Sequence, residues 1–208
     1  MGESEVISGG LVRGILDRGG RDGLVLAHGA GSNARAPLLA AVAETFRAAG
    51  LTVLRIDLPF RQERPHGPPH PANAARDREG LRQAAAFLRG QVAGRVFLGG
   101  HSYGGRQASM LAAAEPETAE GLLLLSYPLH PPGRPEKPRT AHLPDLRMPV
   151  LFLHGTRDPF GSLEEMRAAL ELIPGRTALE PVERAGHDLA PPSRAAQAAL
   201  RAFRILIP

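Results

Sequence analysis

Short apolar runs alternate with longer amphipathic stretches along most of the chain. Runs such as GLVLAHG at 23–29 and GLLLLSYP at 121–128 are continuously apolar, which is typical of strands buried on both faces of a sheet. Stretches such as 36–50 instead repeat apolar residues at helical spacing. Because helices that alternate with buried strands are typical of parallel sheets, the pattern predicts an α/β fold with a mostly parallel central sheet and helices on both faces.

The individual elements follow from these runs and from the residues that end them. Strands are predicted at 5–17 (one strand, or a hairpin that turns at Gly9-Gly10), 23–29, 51–59, 95–100, 121–128, 148–155 and 177–185. Helices are predicted at 36–50, 72–92, 104–114, 162–174 and 191–206. Asn73 is a candidate N-cap, and Ser162 with Glu165 has the spacing of a capping box. Two segments rich in proline and glycine, 61–71 and 128–149, are predicted to be loops of a single domain, 1–208.

Composition narrows the class of protein. The 208 residues suffice for one domain with a sizeable core. No apolar run approaches the 18 residues of a membrane span, and the start MGESEVISGG lacks the pattern of a signal peptide. We therefore expect a cytoplasmic protein that does not enter a membrane. The absence of cysteine agrees with that location and excludes disulfides and a cysteine nucleophile.

The basic sequence pI of about 10.5 does not predict nucleic-acid binding. The 25 basic residues are arginines except for Lys137, and they form no basic run of five or more. Aromatic residues make up only 4% of the chain, so platforms for stacking bases are scarce. What remains is a weak preference for anionic ligands.

The motif GHSYG at 100–104 is the most specific chemical signal in the chain. It is a G-x-S-x-G sequence between a predicted strand and a predicted helix, the context in which such a serine becomes an exposed nucleophile. Ser102 is the predicted nucleophile, and Gly100 and Gly104 leave room for the tight turn. The alternative is a glycine turn that only lets the helix pack closely on the strand.

A serine needs a base, and His187 is the candidate because ERAGHDLAPP follows the last predicted strand. Of the other histidines, His28 and His154 are expected to stabilise loops and His101 to point away from the serine. Four in proline-rich segments are expected to be solvated, namely His66, His70, His130 and His142. The acid that orients the base is predicted to be Asp158, just beyond a buried strand. Asp57 is the alternative, whereas Asp188 adjoins His187 and is badly placed to reach its ring.

Two backbone amides are predicted to stabilise negative charge at the reaction centre. The N–H of Tyr103 lies at the start of the helix that follows Ser102. The N–H of Ala30 lies in LAHGAGSN at 26–33, where Gly29 and Gly31 permit a turn toward the serine. The alternative for this second segment is a plain glycine turn.

Together, HGAGSN, GHSYGG, LHGTRDPF and GHDL resemble the α/β-hydrolase superfamily over nearly the whole chain, in particular its small lidless members akin to dienelactone hydrolases. The order Ser102, Asp158, His187 is that of the superfamily's triad. The resemblance implies the roles given above, with the Ala30 and Tyr103 amides as oxyanion donors. It also implies hydrolysis of esters, thioesters or amides in general, because dienelactone hydrolases use a cysteine that this chain lacks.

The loops around the predicted site bear on the substrate. The segment 128–148 is too short and proline-rich for a multi-helix lid, which favours a small or extended acyl substrate. Arg35, Arg61 and Arg106 either bind a carboxylate on that substrate or are solvated charges. Neither an organic cofactor nor a metal is expected, since the histidines lack zinc-site spacing.

Two other functions remain open at the level of sequence. A chain with this fold can serve as an interaction module with little or no catalysis, or it can run acyl transfer or peptide hydrolysis on the same scaffold. The sequence does not indicate the oligomeric state.

Overall fold

The computed structural model describes residues 4–207, which form one eight-stranded sheet and six α-helices. The strands are β1 (Ser4–Gly9), β2 (Val12–Asp17), β3 (Asp22–Ala27), β4 (Leu51–Ile56), β5 (Val96–His101), β6 (Leu122–Leu125), β7 (Val150–Gly155) and β8 (Thr177–Val182). The helices are α1 (Pro37–Ala48), α2 (Pro59–Glu63), α3 (Ala74–Arg89), α4 (Tyr103–Ala114), α5 (Leu163–Leu170) and α6 (Pro192–Leu206). The ends of the predicted 1–208 domain, residues 1–3 and 208, lie outside the described residues.

The strand order is β1-β2-β4-β3-β5-β6-β7-β8. Six neighbouring strands are mutually parallel, in the order β4, β3, β5, β6, β7 and β8. The hairpin of β1 and β2 extends the sheet at the β4 edge, where β2 pairs antiparallel with β4. The chain moves from β3 to β4 on one side and then crosses to β5 on the other. The carboxyl ends of β3 and β5 therefore lie at the point where the strand order reverses, the usual place for a binding site in such sheets.

Two hydrophobic cores cover the two faces of the sheet. In β6, Leu122 and Leu124 pack with α3, α4 and α5, while Leu123 and Leu125 pack with α1 and α6. All four leucines are fully buried, which explains why this strand is continuously apolar instead of alternating. The predicted mostly parallel sheet with helices on both faces is confirmed.

Local corrections fall mainly in the segments predicted as loops. Pro59 begins a short helix, α2, where its fixed φ and missing N–H suit the first position. Asn73 precedes α3 but makes no capping hydrogen bond; the His70 side chain instead accepts one from the Ala72 N–H, at the start of a 3₁₀ turn. The capping box of Ser162 and Glu165 is present as predicted.

The connection between β6 and β7 carries no lid. Within the described residues, its regular structure is one 3₁₀ turn at Leu143–Asp145. The predicted solvated state of its histidines is wrong. His130 is buried, and His142 is half-buried with its Nε2 at 2.8 Å from the Ser109 hydroxyl.

Helix α4 begins in close backbone contact with the end of β3. A Cβ on Gly104 would lie 2.6 Å from the carbonyl oxygens of both Ala27 and His28. Because backbone atoms cannot yield as a flexible side chain can, we expect Gly104→Ala to lower the free energy of unfolding by roughly 1–3 kcal/mol. Urea denaturation followed by circular dichroism measures the change.

The matched control is Gly31→Ala, since a Cβ at Gly31 would meet nothing within 4 Å and this residue has no positive φ. We expect that variant to stay within about 0.5 kcal/mol of wild type. Equal losses in the two variants would contradict the contact described for Gly104.

Candidate active site

Ser102 lies on a sharp turn between β5 and α4. Its backbone has φ 51° and ψ −115°, a conformation that costs a residue with a side chain on the order of 1–3 kcal/mol. The turn is possible because a glycine stands on each side: a Cβ at Gly100 would lie 2.5 Å from the Ala27 carbonyl oxygen, and Gly104 is equally crowded. The strained turn leaves the Ser102 hydroxyl above the carboxyl edge of the sheet.

The loops after β7 and β8 bring Asp158 and His187 to this hydroxyl. Nε2 of His187 lies 2.8 Å from Oγ of Ser102. Nδ1 of the same ring lies 2.8 Å from Oδ2 and 3.0 Å from Oδ1 of Asp158. Because the carboxylate accepts the Nδ1 proton, Nε2 is left free to accept the hydroxyl proton of the serine.

The Asp158 carboxylate is buried and ionised. Burial by itself would raise its pKa, but the hydrogen bonds from His187 and from the Phe160 N–H, with the nearby imidazoles, outweigh burial and hold the pKa below its usual value. Asp57 and Asp188 lie elsewhere: Asp57 accepts from the Ala34 N–H, and Asp188 is exposed with a contact to the Ala190 N–H.

Two aromatic side chains hold the His187 loop in place. The Phe160 ring packs on the His187 ring with centroids 4.2 Å apart. His101 directs its ring to the His187 backbone, where Nε2 lies 2.8 Å from the carbonyl oxygen, and burial lowers the pKa of His101. Sequence reasoning missed Phe160; its signal was the segment RDPF, in which it follows Asp158 by two residues.

Ala30 and Tyr103 line the same cavity as Ser102. Tyr103 is the first residue of α4, so its N–H has no acceptor within the helix. The Ala30 N–H donates no hydrogen bond to any residue between 4 and 207. The loop passes close to the serine at Gly29, where a Cβ would lie 3.6 Å from the Ser102 Cβ. At Gly31, by contrast, a Cβ would meet nothing within 4 Å. Both amides are therefore available to an oxyanion.

Buried side chains fix the loop that carries Ala30. The His28 Nε2 accepts the Leu58 N–H at 3.1 Å, so its Nδ1 is the protonated nitrogen and donates to the Gly29 carbonyl at 2.8 Å. Arg61 donates to the Ala30 and Ser32 carbonyl oxygens, each at 2.8 Å. Since the Arg61 side chain is largely committed to backbone carbonyls, it positions the loop.

A cavity of about 470 Å³ opens beside Ser102. Arg106 borders it, and so does Arg139, which sequence reasoning missed. Arg35 and Arg61 do not line this cavity; they border a separate groove with Asp57. The predicted contact of these two arginines with a substrate is therefore not supported by their position.

Neither a membrane-spanning helix nor a metal-ligand cluster occurs in the part of the chain that the structure describes. None of its helices has the length and hydropathy to cross a bilayer. No group of three or more potential metal ligands comes together there.

Buried His28 and half-buried His142 contribute to the pH dependence of stability. Burial lowers the pKa of both His28 and His142 from 6.5 to about 4, and at His142 the neighbouring Arg106 adds to the effect. Between pH 6.5 and 4 the unfolded chain binds protons at these histidines that the folded chain does not. The free energy of unfolding therefore falls as the pH falls through this window.

We expect His142→Gln to lose less stability than wild type between pH 7 and pH 4.5, because one of the contributing groups is gone. Urea denaturation at a series of pH values measures the slope. The control is the same change at exposed His66, for which we expect the wild-type slope. An unchanged slope in His142→Gln would overturn this account.

Comparisons with known proteins agree with the fold. The model of the alpha/beta hydrolase domain family matches residues 20–203. Among solved structures, a dienelactone hydrolase from Anabaena variabilis is 23% identical over 99% of both chains, with a TM-score of 0.78. Est1E from Butyrivibrio proteoclasticus is 16% identical over 98% of both chains, with a TM-score of 0.75.

A third structure shares the absence of a lid. XC6422 from Xanthomonas campestris, described as an α/β serine hydrolase without lid, is 18% identical over 99% of this chain and 95% of its own, with a TM-score of 0.70. At these identities the likeness shows the fold, and the family match extends over most of the sequence. The chain belongs to the alpha/beta hydrolase domain family.

Proposed function

We propose that the protein is a serine hydrolase that cleaves a small ester, thioester or related acyl substrate through Ser102, His187 and Asp158. The observation that carries the proposal is the continuous hydrogen-bonded series from the Ser102 hydroxyl through the His187 ring to the Asp158 carboxylate, with 2.8 Å at each link. A serine in this series has a base within reach of its proton, and the base has a partner that stabilises its charged form.

The first half of the reaction forms an acyl-enzyme. Nε2 of His187 takes the Ser102 proton as Oγ attacks the substrate carbonyl carbon, and the carbonyl oxygen becomes an oxyanion. The Ala30 and Tyr103 amides donate to that oxyanion; losing one such donor typically costs about 3 kcal/mol of transition-state stabilisation. The C–O or C–S bond then breaks, and the imidazolium gives its proton to the leaving alcohol or thiol.

The second half releases the acid. Water enters beside His187, which takes one proton as the oxygen attacks the acyl carbon. The bond between that carbon and Oγ breaks, and His187 returns the proton to Ser102. Each group ends as it began, so the cycle requires no organic cofactor or metal. The open cavity and the short β6–β7 connection favour small or extended substrates over long-chain lipids.

A fluorophosphonate probe tests the nucleophile. We expect the purified protein to be labelled covalently, with intact-protein mass spectrometry giving one adduct and peptide mapping placing it on Ser102, because only an activated serine attacks the probe rapidly. Ser102→Ala abolishes labelling. The control is Ser109→Ala, since Ser109 is buried beside His142 and outside the cavity. A folded wild-type protein that resists the probe would favour a non-catalytic interaction module.

Substitution of Asp158, with Asp188 as the control, tests whether Asp158 orients the His187 ring. We expect Asp158→Asn to reduce kcat on p-nitrophenyl acetate by about 10³–10⁴-fold, because the amide favours the wrong tautomer of His187. Asp188→Asn, one residue from the base but exposed and outside the relay, stays within about threefold of wild type. Comparable losses in both variants, with both folded by circular dichroism, would contradict the assignment.

A further inference from the structure

Two arginines border the cavity beside Ser102 without a carboxylate to neutralise them. Arg106 and Arg139 line it, and none of its lining residues among 4–207 is acidic. Neither arginine takes part in an ion pair with a described residue. Much of the remaining lining is apolar, including Pro68, Pro128 and Phe160. The cavity therefore presents concentrated positive charge against low-polarity walls.

Arg106 lies one helical turn beyond the nucleophile. Its N–H donates to the Ser102 carbonyl at 2.9 Å, and residues four apart share a face of a helix. The Arg106 Nε is buried and has no hydrogen-bond partner among the described residues. Such an unsatisfied donor costs about 1–3 kcal/mol unless an acceptor reaches it, so the residue is suited to an acceptor on a ligand.

Gln107, also in the cavity wall, carries a second unsatisfied donor. Its side chain is fully buried, and its Oε1 accepts from Arg78 Nη1 at 3.0 Å. This contact assigns the amide orientation and leaves Nε2 without a partner within the described chain. Two consecutive residues that line this cavity thus each carry a buried donor without an acceptor in the described chain, which favours a site for an anion or a strong acceptor.

The backbone contacts of Arg139 hold this residue at the cavity. Its N–H donates to the Leu129 carbonyl at 2.7 Å, and its carbonyl accepts from the Tyr127 hydroxyl at 2.6 Å. Its Nη1 lies 3.3 Å from the Pro128 carbonyl. Burial lowers the pKa of Arg139, and the nearby positive charge of Arg106 lowers it further. An anion between the two guanidinium groups relieves this repulsion.

We infer that Arg106 and Arg139 form a carboxylate subsite, and that the preferred substrate is an ester whose acyl chain ends in a carboxylate a few bonds from the scissile carbonyl. The inference rests on the proposed hydrolase function. A planar guanidinium fork matches a carboxylate better than a point charge does. The leaving oxygen must lie beside Nε2 of His187 to be protonated. His187 is not among the described residues that line the cavity with the two arginines, so we place the charge in the acyl portion, which extends into that cavity.

The test compares two substrates of nearly the same shape. Monoethyl glutarate carries the carboxylate, and its primary amide, ethyl glutaramate, is neutral. We expect wild type to favour the half-ester by about tenfold or more in kcat/KM, mainly through KM, because the subsite binds substrate and transition state alike. Arg106→Gln and Arg139→Gln each reduce that ratio about tenfold, and Arg106→Lys restores part of it. Product formation is followed by chromatography.

The matched control removes one positive charge outside the cavity. Arg35→Gln, at an exposed arginine, keeps the wild-type ratio between the two substrates. Thermal denaturation checks that each variant is folded. A wild-type ratio near one, or an equal drop in the ratio for Arg35→Gln and Arg106→Gln, would overturn the subsite and leave the proposed hydrolase function standing.

A binding measurement tests the subsite independently of catalytic turnover. In the Ser102→Ala background, isothermal titration calorimetry with monoethyl glutarate measures affinity without hydrolysis. We expect binding of the half-ester that Arg106→Gln weakens about tenfold, and weaker binding of the amide. If the half-ester binds in this way but wild type cleaves neither ester, ester hydrolysis fails and the subsite stands. If the half-ester binds no better than the amide, the subsite is rejected.

Discussion

The close contact between the first turn of α4 and the end of β3 is the constraint on which the site depends. Carbonyl oxygens of Ala27 and His28 occupy the space where side chains of residues 100 and 104 would lie, so both positions are glycine. This contact holds Ser102 in its strained conformation and directs its hydroxyl away from the sheet. It also brings Tyr103 and the loop that carries Ala30 to the cavity that Ser102 lines. The geometry of the candidate site thus depends on backbone packing as much as on side-chain chemistry.

Charge is distributed unevenly around this hydroxyl. Asp158 is buried and ionised, and it is paired with His187. Burial lowers the pKa values of two further histidines, His28 and His101, which therefore stay neutral near pH 7 and act as hydrogen-bonding groups. Permanent positive charge enters the cavity only through Arg106 and Arg139 among its described lining residues. The negative charge of Asp158 is thus compensated by its hydrogen bond with His187. The positive charges of Arg106 and Arg139 have no acidic partner among the lining residues and are left for a ligand to neutralise.

The comparisons separate what the fold fixes from what the loops change. Proteins only 16–23% identical share the arrangement of sheet and helices, because buried apolar strands and close glycine contacts can be kept while most surface residues change. Most residues that line the cavity beside Ser102 lie in the segments after β4 and β6 and in α4. In this chain those regions contain the prolines and arginines that border the cavity. The family therefore indicates a hydrolase, and the substrate depends on these local features.

The sequence by itself determined the strands and helices, since apolar runs and helical spacing report burial on the two faces of the sheet. It also identified Ser102, Asp158 and His187 as candidates, because each follows a predicted strand and parallel strands end at one edge. Only the tertiary structure decided which arginines face the cavity. Arg61 turned out to hold the Ala30 loop and Arg139 to border the pocket, because a long side chain in an irregular segment has no periodicity that predicts its direction. The partial burial of His142 could not be predicted for the same reason: its contact with Ser109 comes from α4, which is distant in sequence.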